Sequence, residues 1–502
     1  MHETITLCAG RALLGAEMSL SDGPVDIVIA GNRIREVRPA GVRPAEGTEI
    51  ELRGRLVAPG MINGHIHSHE HYHKGRYDNV PLELWMNYVR PARPMPLTAR
   101  QVYLRTMIGA IEVLRGGGTT LCDDMNVAPV LREDHVEAAL QAYEDIGIRA
   151  HLGITLFDKP FFRGMPFVDE ELPRSLIEAL SPSVDTTPPG EILAYVRRLA
   201  GVRHPRQCRV GVIAAPSAPQ RCTEPFLVAV RHLADEYDLP LMIHCQETRL
   251  QVVTGHVLYG STMVEYLDRI GFLKPKTALI HGVWLNPREI DTLAERGVSV
   301  QHNPTCNMKM GSGLAPVHAL MEGGVNVSLA TDGCGSIETA SMLKAVMSAA
   351  LANKLRTADH GQWFGAHEAW RAATLGGARA LGRDDELGLI APGYLADLVA
   401  YRLDRIPFVP LNDAVRQLVY AETGAGIDFI MTDGRVVMRQ GELTGISEAA
   451  LLDEIQESYL ALIPHIEEGE RMANQLIDPY KRICARCEAM PIAADTHAGR
   501  MS

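Results

Sequence analysis

Eight short apolar runs, each followed by a longer stretch of helical spacing, constrain this chain more than any other feature. They lie at 56–67, 118–125, 149–156, 209–215, 240–246, 277–282, 298–303 and 325–332. Short apolar runs bounded by turn signals suit strands buried on both faces, and segments such as Asp134 to Ile146, Pro225 to Tyr237 and Asn286 to Arg296 suit covering helices. Eight such units predict an α/β chain built around a closed (β/α)8 TIM-like barrel over residues 58–384. Residues 1–57 instead alternate short β-like runs with Gly and Asp turns, as in Asp26-Ile27-Val28-Ile29-Ala30-Gly31, and the texture returns over 385–445. We expect these two stretches to form one small flanking β-sandwich from both chain ends. Residues 446–502 read as a charged, helical C-terminal tail.

Charge and cysteine usage narrow the function classes. The chain has 49 Lys and Arg against 61 Asp and Glu, a formal charge of −12, with no basic block. That disfavours nucleic acid and anionic membrane as partners. The start Met1-His2-Glu3-Thr4 lacks a basic segment followed by an apolar one, and no window approaches 18 uninterrupted apolar residues, so a cytoplasmic protein is expected. Nine scattered cysteines are too sparse for a disulfide framework. Cys484-x-x-Cys487 lacks the second pair that a zinc ribbon needs.

Directly after the first apolar run come five histidines at period two: His65, His67, His69, His71 and His73. Alternate side chains on a strand share one face at intervals of about 6.5 to 7 Å, whereas an imidazole nitrogen binds a zinc-like ion at about 2.0 to 2.1 Å. Two neighbours of the ladder can share one ion, and the other ligands must come from elsewhere. In a barrel of this kind the chemistry sits at the C-terminal ends of the strands. Those ends carry His65 and His67 on strand one, His244 and Glu247 on strand five, His281 on strand six and Asp332 on strand eight. Each alone is unremarkable. Their joint placement points to a metal site of His65, His67, His244 and Asp332, with His281 as ligand or base.

The motifs that carry these residues resemble the amidohydrolase superfamily, in its cytosine-deaminase-like and triazine-hydrolase-like branch. They are Pro59-Gly60-x-Ile62-Asn63-x-His65-x-His67, His244-x-x-Glu247, Ile280-His281-Gly282, the stretch His302-Asn303-Pro304 to Gly313, and Ala330-Thr331-Asp332-Gly333. Later marks are Ala373-Thr374 to Gly377-Ala378, Gly388, Pro392-Gly393 and Ala396-Asp397-Leu398-Val399. The resemblance covers roughly residues 5–445 and implies a distorted barrel with a flanking sandwich. It implies one divalent ion per chain on His65, His67, His244 and Asp332, with zinc the default and iron, manganese or cobalt acceptable to such ligands. Relatives with two ions bridge them with a modified lysine at the end of strand four, where this chain reads Val212-Ile213-Ala214-Ala215-Pro216-Ser217. A mononuclear site is therefore expected.

The same resemblance implies catalytic roles for Glu247, His281 and Asp332. Asp332 would ligate the ion and accept a proton from water, Glu247 would protonate a ring nitrogen or the leaving group, and His281 would hydrogen-bond the attacking hydroxide or the departing substituent. The leading expectation is hydrolytic deamination of a small nitrogen heterocycle. Hydrolysis of another C–N or C–X bond is the alternative: ring opening of a cyclic amide, or loss of sulfide, chloride or an amine. A metal-binding protein without catalysis is a third reading, which the intact ligand and acid–base set opposes.

Candidate substrate contacts are His69, Trp85, Arg221, Gln301, Asn303 and Cys306, with Glu70 placed by alternation on the opposite face. Adenosine-type relatives carry a ribose-binding carboxylate shortly after the tryptophan and a histidine in the strand-four loop. Here those places read Arg90-Pro91-Ala92-Arg93-Pro94 and Pro216-Ser217-Ala218-Pro219-Gln220-Arg221, which counts against a nucleoside. The arginines suit a substrate carboxylate. Homo-oligomers, dimers or tetramers, are usual among relatives and are expected here.

Overall fold

The computed structural model describes residues 4–90, 95–181, 186–497 and 499. Eight strands form the barrel wall in chain order: Met61–Ile66, Gly118–Met125, Arg149–Leu156, Val210–Pro216, Leu241–Cys245, Thr277–His281, Ser299–His302 and Val327–Leu329. Every adjacent pair is parallel. The expected first run is divided between two sheets, because Leu56 to Pro59 ends an outer strand, Thr48–Pro59, and the barrel strand begins at Met61. The break falls at Gly60, where a Cβ would come within 2.1 Å of Thr119.

Strands one and eight close the barrel without a regular ladder. Asn63 donates from Nδ2 to Thr331 Oγ1 at 2.7 Å and accepts the Thr331 N–H at 3.0 Å, while the Asp332 N–H donates to the His65 carbonyl at 2.9 Å. This irregular seam ties two expected metal ligands directly together.

Helices cover the wall where apolar spacing placed them, at Glu133–Ile146, Glu224–Glu236 and Pro287–Glu295 among others. The last begins with a reciprocal cap between Asn286 and Glu289, which satisfies amides that an uncapped helix leaves open.

Both chain ends contribute to a second sheet of nine strands. Leu398–Arg402 runs antiparallel to Thr48–Pro59, which in turn pairs in parallel with Thr4–Leu14. Eight of the nine strands are hydrogen-bonded in one continuous order, Ser19–Leu20 pairing off it with Thr4–Leu14, and Leu7, Ile27, Val57, Leu398 and Phe429 share the sheet's core. Arg149, 2% exposed on the third barrel strand, reaches into this unit and pairs with Asp397 at 2.7 Å and Asp433 at 2.8 Å.

The tail folds into two helices, Glu448–Ala473 and Ile477–Ala489. Tyr480, Ile483 and Cys487 pack on Leu84, Phe162 and Leu250, and Arg76 pairs with Glu470 at 2.8 Å. Cys484 and Cys487 are free thiols. Among the described residues no helix is long and apolar enough to cross a membrane.

Candidate active site

The extended backbone of the first barrel strand stops at Ile66, and Ser68–His73 winds into a 3-10 helix. Three residues per turn replace the period of two, so the ladder does not share one face. His69 Nδ1 accepts the Asn126 N–H at 3.2 Å. His71 lies 2.9 Å from the Arg105 carbonyl through Nδ1 and packs so closely on Gly109 that a Cβ there would meet its ring at 2.0 Å. His73 stacks on Tyr77 with ring centroids 5.9 Å apart. His71 and His73 are core residues.

The same turn corrects the placement of Glu70. Rather than facing away, Glu70 lines the cavity beside His67 and Asp332, fully buried, with both carboxylate oxygens unpartnered. Burial first, then the charge of Asp332, pushes its carboxyl well above the usual range. Strand alternation pointed the wrong way because the strand had already ended.

His65, His67, His244 and Asp332 converge. His65 Nε2 and His67 Nε2 are 3.2 Å apart, and Asp332 Oδ1 lies 3.8 and 3.6 Å from them. His67 Nδ1 donates to the Asp124 carbonyl at 2.8 Å and His244 Nδ1 to the Ser217 carbonyl at 2.7 Å, an assignment fixed by the acceptors. Each neutral ring therefore presents an Nε2 lone pair. Two ligands held about 2.0 to 2.1 Å from one tetrahedral ion stand roughly 3.3 to 3.4 Å apart, close to the separation found. Burial holds all three imidazoles well below their ordinary pKa, aided by the other imidazoles at His65 and by Arg90 at His67. Neutral imidazoles are the form a metal takes. The donors present thus fit a divalent ion. Asp124 stands behind them with Oδ2 3.9 Å from both His67 Nδ1 and His244 Nδ1.

His67, His69 and Glu70 also lie close enough to be weighed as a second site. The tautomer argues against it. Because His69 Nδ1 accepts a backbone N–H, its neutral ring carries the proton on Nε2, which faces Glu70 Oε1 at 3.7 Å.

His281 and Glu247 complete the constellation. His281 Nδ1 lies 2.9 Å from Asn307 Oδ1 and 3.3 Å from the Asn303 amide, and the shorter contact assigns the proton to Nδ1. Nε2 then offers a lone pair 3.4 Å from Glu247 Oε2 and 3.8 Å from Asp332 Oδ2. Burial, then Asp332, drives the Glu247 carboxyl well above its usual range. His281 and Asp332 sit at positive φ, 76° and 81°. Side chains other than glycine adopt that backbone at some cost, and such strain concentrates at functional sites.

The cavity above these residues is lined by Trp85, Arg90, Gln220, Arg221 and Cys306 as well as by Glu70. Trp85 donates from Nε1 to the Gly335 carbonyl at 3.3 Å. Three expected substrate contacts do not line it. Gln301 packs beneath, against Gly64, where a Cβ would meet its amide nitrogen at 1.6 Å. Asn303 stands behind His281, and His69 is held by Asn126. Asn303 takes that position because the chain after strand seven turns at once into the helix Pro304–Lys309. Arg93 lies outside the described residues.

A parallel barrel with a buried His, His, His, Asp set at its strand ends, and a buried glutamate beside a histidine facing that set, defines a metal-dependent hydrolase. The chain belongs to the amidohydrolase family, whose profile matches residues 56–437. A 5'-deoxyadenosine deaminase of Methanothermobacter thermautotrophicus is 35% identical over 428 residues, spanning 85% of this chain and 92% of that protein. A 5-methylthioadenosine/S-adenosylhomocysteine deaminase of Thermococcus kodakarensis is 34% identical over 82% of this chain and 89% of its own length. Among solved structures, an adenosine deaminase from Xanthomonas campestris with bound zinc superposes with a TM-score of 0.81 at 27% identity, covering 92% of this chain and 98% of that chain. An atrazine chlorohydrolase from Arthrobacter aurescens complexed with zinc gives 0.80 at 24% identity over 91% and 100% of the two chains, a likeness of fold.

Proposed function

We propose that this protein hydrolytically deaminates a nitrogen heterocycle with one zinc ion per chain held by His65, His67, His244 and Asp332. The observation that carries the reading is the buried pair Glu247 and His281, 3.4 Å apart and both facing the ligand set, with burial raising the Glu247 carboxyl well above its usual range. A bound zinc-like ion supplies Lewis acidity, lowering the pKa of a coordinated water towards ~7. Asp332 accepts a proton from water and Glu247 delivers one to the ring nitrogen next to the amino-bearing carbon. A C–O bond forms there and the C–N bond breaks. Of the two protons of water, one ends on the ring nitrogen and the other on the amine, which leaves as ammonia. His281 orients the attacking oxygen through Nε2, its own orientation fixed by Asn307.

Adenosine derivatives, named for the relatives above, are the first substrates to try, although Arg90 and the Pro216 to Arg221 loop depart from the nucleoside-binding pattern. Ammonia release across a panel of aminated heterocycles tests the proposal. Turnover of a ring substrate without ammonia overturns it in favour of cleavage of another C–X bond. Glu247→Gln is expected to retain zinc and to lose about 10²- to 10⁴-fold in kcat. An active variant removes Glu247 from the mechanism. Metal analysis of the purified protein reads identity and stoichiometry, and two ions per chain would refute the mononuclear assignment. A cytoplasmic homo-oligomer remains part of the proposal, and light scattering gives its state.

A further inference from the structure

One group in the cavity has no role in the chemistry above. Arg221 is 6% exposed, rests over the rings of Phe157 and Phe161 at 4.4 and 5.5 Å, and donates from Nε to the Lys159 carbonyl at 3.1 Å. No carboxylate pairs with its guanidinium among the described residues. Burial lowers its pKa to about 9, and Arg90 adds to the effect. Arg90 lines the same cavity, has a buried Nε without a partner, and likewise lacks a carboxylate partner among the described residues. Gln220, adjacent in sequence, also lines it, with a buried Oε1 unpartnered.

A buried cation without a counter-charge is costly. Most of the other buried arginines of this protein follow that rule: Arg149, still more deeply buried, has two aspartates. Arg221 has the geometry to bind and nothing to bind. A planar guanidinium with a fixed Nε and open terminal nitrogens matches a carboxylate or phosphate group. Glu70, Glu247 and Asp332 give the cavity acidic walls near the metal ligands, so the arginines supply a basic counterpart for a second part of the same substrate.

We propose that Arg221, with Arg90, anchors an anionic substituent of the substrate, so that the preferred heterocycle carries a carboxylate or phosphate besides its amino group. This rests on the deamination reading. The shared chemistry is an anion, and the experiment separates its sources.

The test uses the zinc-loaded enzyme and two matched series: adenosine, adenosine 5'-carboxylate and AMP, then cytosine and 5-carboxycytosine. Ammonia release gives kcat/KM, and calorimetry on Glu247→Gln gives binding without turnover. In at least one series an anion is expected to exceed its neutral partner by ten-fold or more. Which adenosine anion exceeds adenosine assigns carboxylate or phosphate. Arg221→Met is expected to reduce that preference at least ten-fold, mainly through KM, and Arg221→Lys to keep part of it. Melting curves check that each variant folds; should Arg221→Met fail to fold, Arg221→Lys and Arg90→Met carry the test. The proposal is overturned if neutral members bind as well as the anions in both series, or if the preference survives in Arg221→Met. If no member releases ammonia the deamination reading fails, while calorimetry still decides whether the anion is held.

Discussion

Glu289 illustrates what burial does to a single carboxyl away from the chemistry. It caps its own helix by accepting the Asn286 N–H at 2.8 Å and accepts from Gln246 Nε2 at 3.2 Å, yet it is 2% exposed and its Oε1 has no partner. Burial raises its pKa to about 7. The folded protein therefore binds this proton more tightly than the unfolded chain. The stability it contributes is complete below the unfolded value near 4.5 and is lost as pH rises to about 7. Glu289→Gln keeps the cap acceptor without the ionisation, and is expected to gain on the order of 2 kcal/mol over the parent at pH 8, with the gain shrinking towards pH 5. Thermal melting of both proteins at the two pH values reads the sign, and a gain larger at pH 5 would contradict it. The histidine ladder gives a second contrast. His67→Ala is expected to lose most bound zinc on dialysis, whereas His71→Ala keeps its zinc and loses stability, as metal analysis and melting together will show. Sequence spacing paired His65 and His67, which both lie at the end of the extended segment and bring their Nε2 atoms 3.2 Å apart. It misplaced Glu70 and singled out His69 as a substrate contact, because the change from strand to 3-10 turn at Ser68 leaves no periodic signature in so few residues.

Strands were the most legible elements. Each expected run overlaps an observed barrel strand, since βα units announce themselves by apolar runs separated by amphipathic helices. The polar part of the contact between barrel and flanking sheet was not legible, because it depends on one long side chain crossing between elements distant in sequence; apolar residues such as Leu56, Val399, Tyr401 and Ile430 pack beside it in one core with the barrel. Arg149, near the start of its strand, carries the cation that both Asp397 and Asp433 require, and Asp397 also accepts the Asp433 N–H at 2.6 Å. Removing one member of such a buried group leaves the others uncompensated, at a cost of about 3 to 5 kcal/mol. Arg149→Met is expected to destabilise by that amount. Asp397→Asn made in the Arg149→Met background is expected to cost less than Asp397→Asn alone. Equilibrium denaturation of the four proteins tests the coupling, and simple additivity would show that Arg149 and Asp397 act separately.

The molecule as a whole is closed where its chemistry lies. Ladder hydrogen bonds join the barrel strands from Met61–Ile66 round to Val327–Leu329, but the first and last meet through Asn63, Thr331 and the Asp332 to His65 backbone contact. Three of the four proposed ligands, His65, His67 and Asp332, flank that seam, and His244 comes from strand five. An ion held by all four would therefore brace the least regular part of the wall against the middle of the barrel. The tail helices reinforce the same end, since Tyr480 and Ile483 pack on Leu84, in the helix Leu82–Val89 that carries Trp85. A ligand that binds only the folded state at a thousand times its Kd stabilises by about 4 kcal/mol. Removing zinc with a chelator is accordingly expected to lower the melting temperature by a few degrees and to restore it on adding the metal back. Hydrogen exchange should quicken most at Met61–Ile66 and Val327–Leu329 and least in the flanking strands Thr4–Leu14 and Val25–Ala30. Exchange that quickens equally in both units would mean that the ion stabilises the fold without bracing the seam.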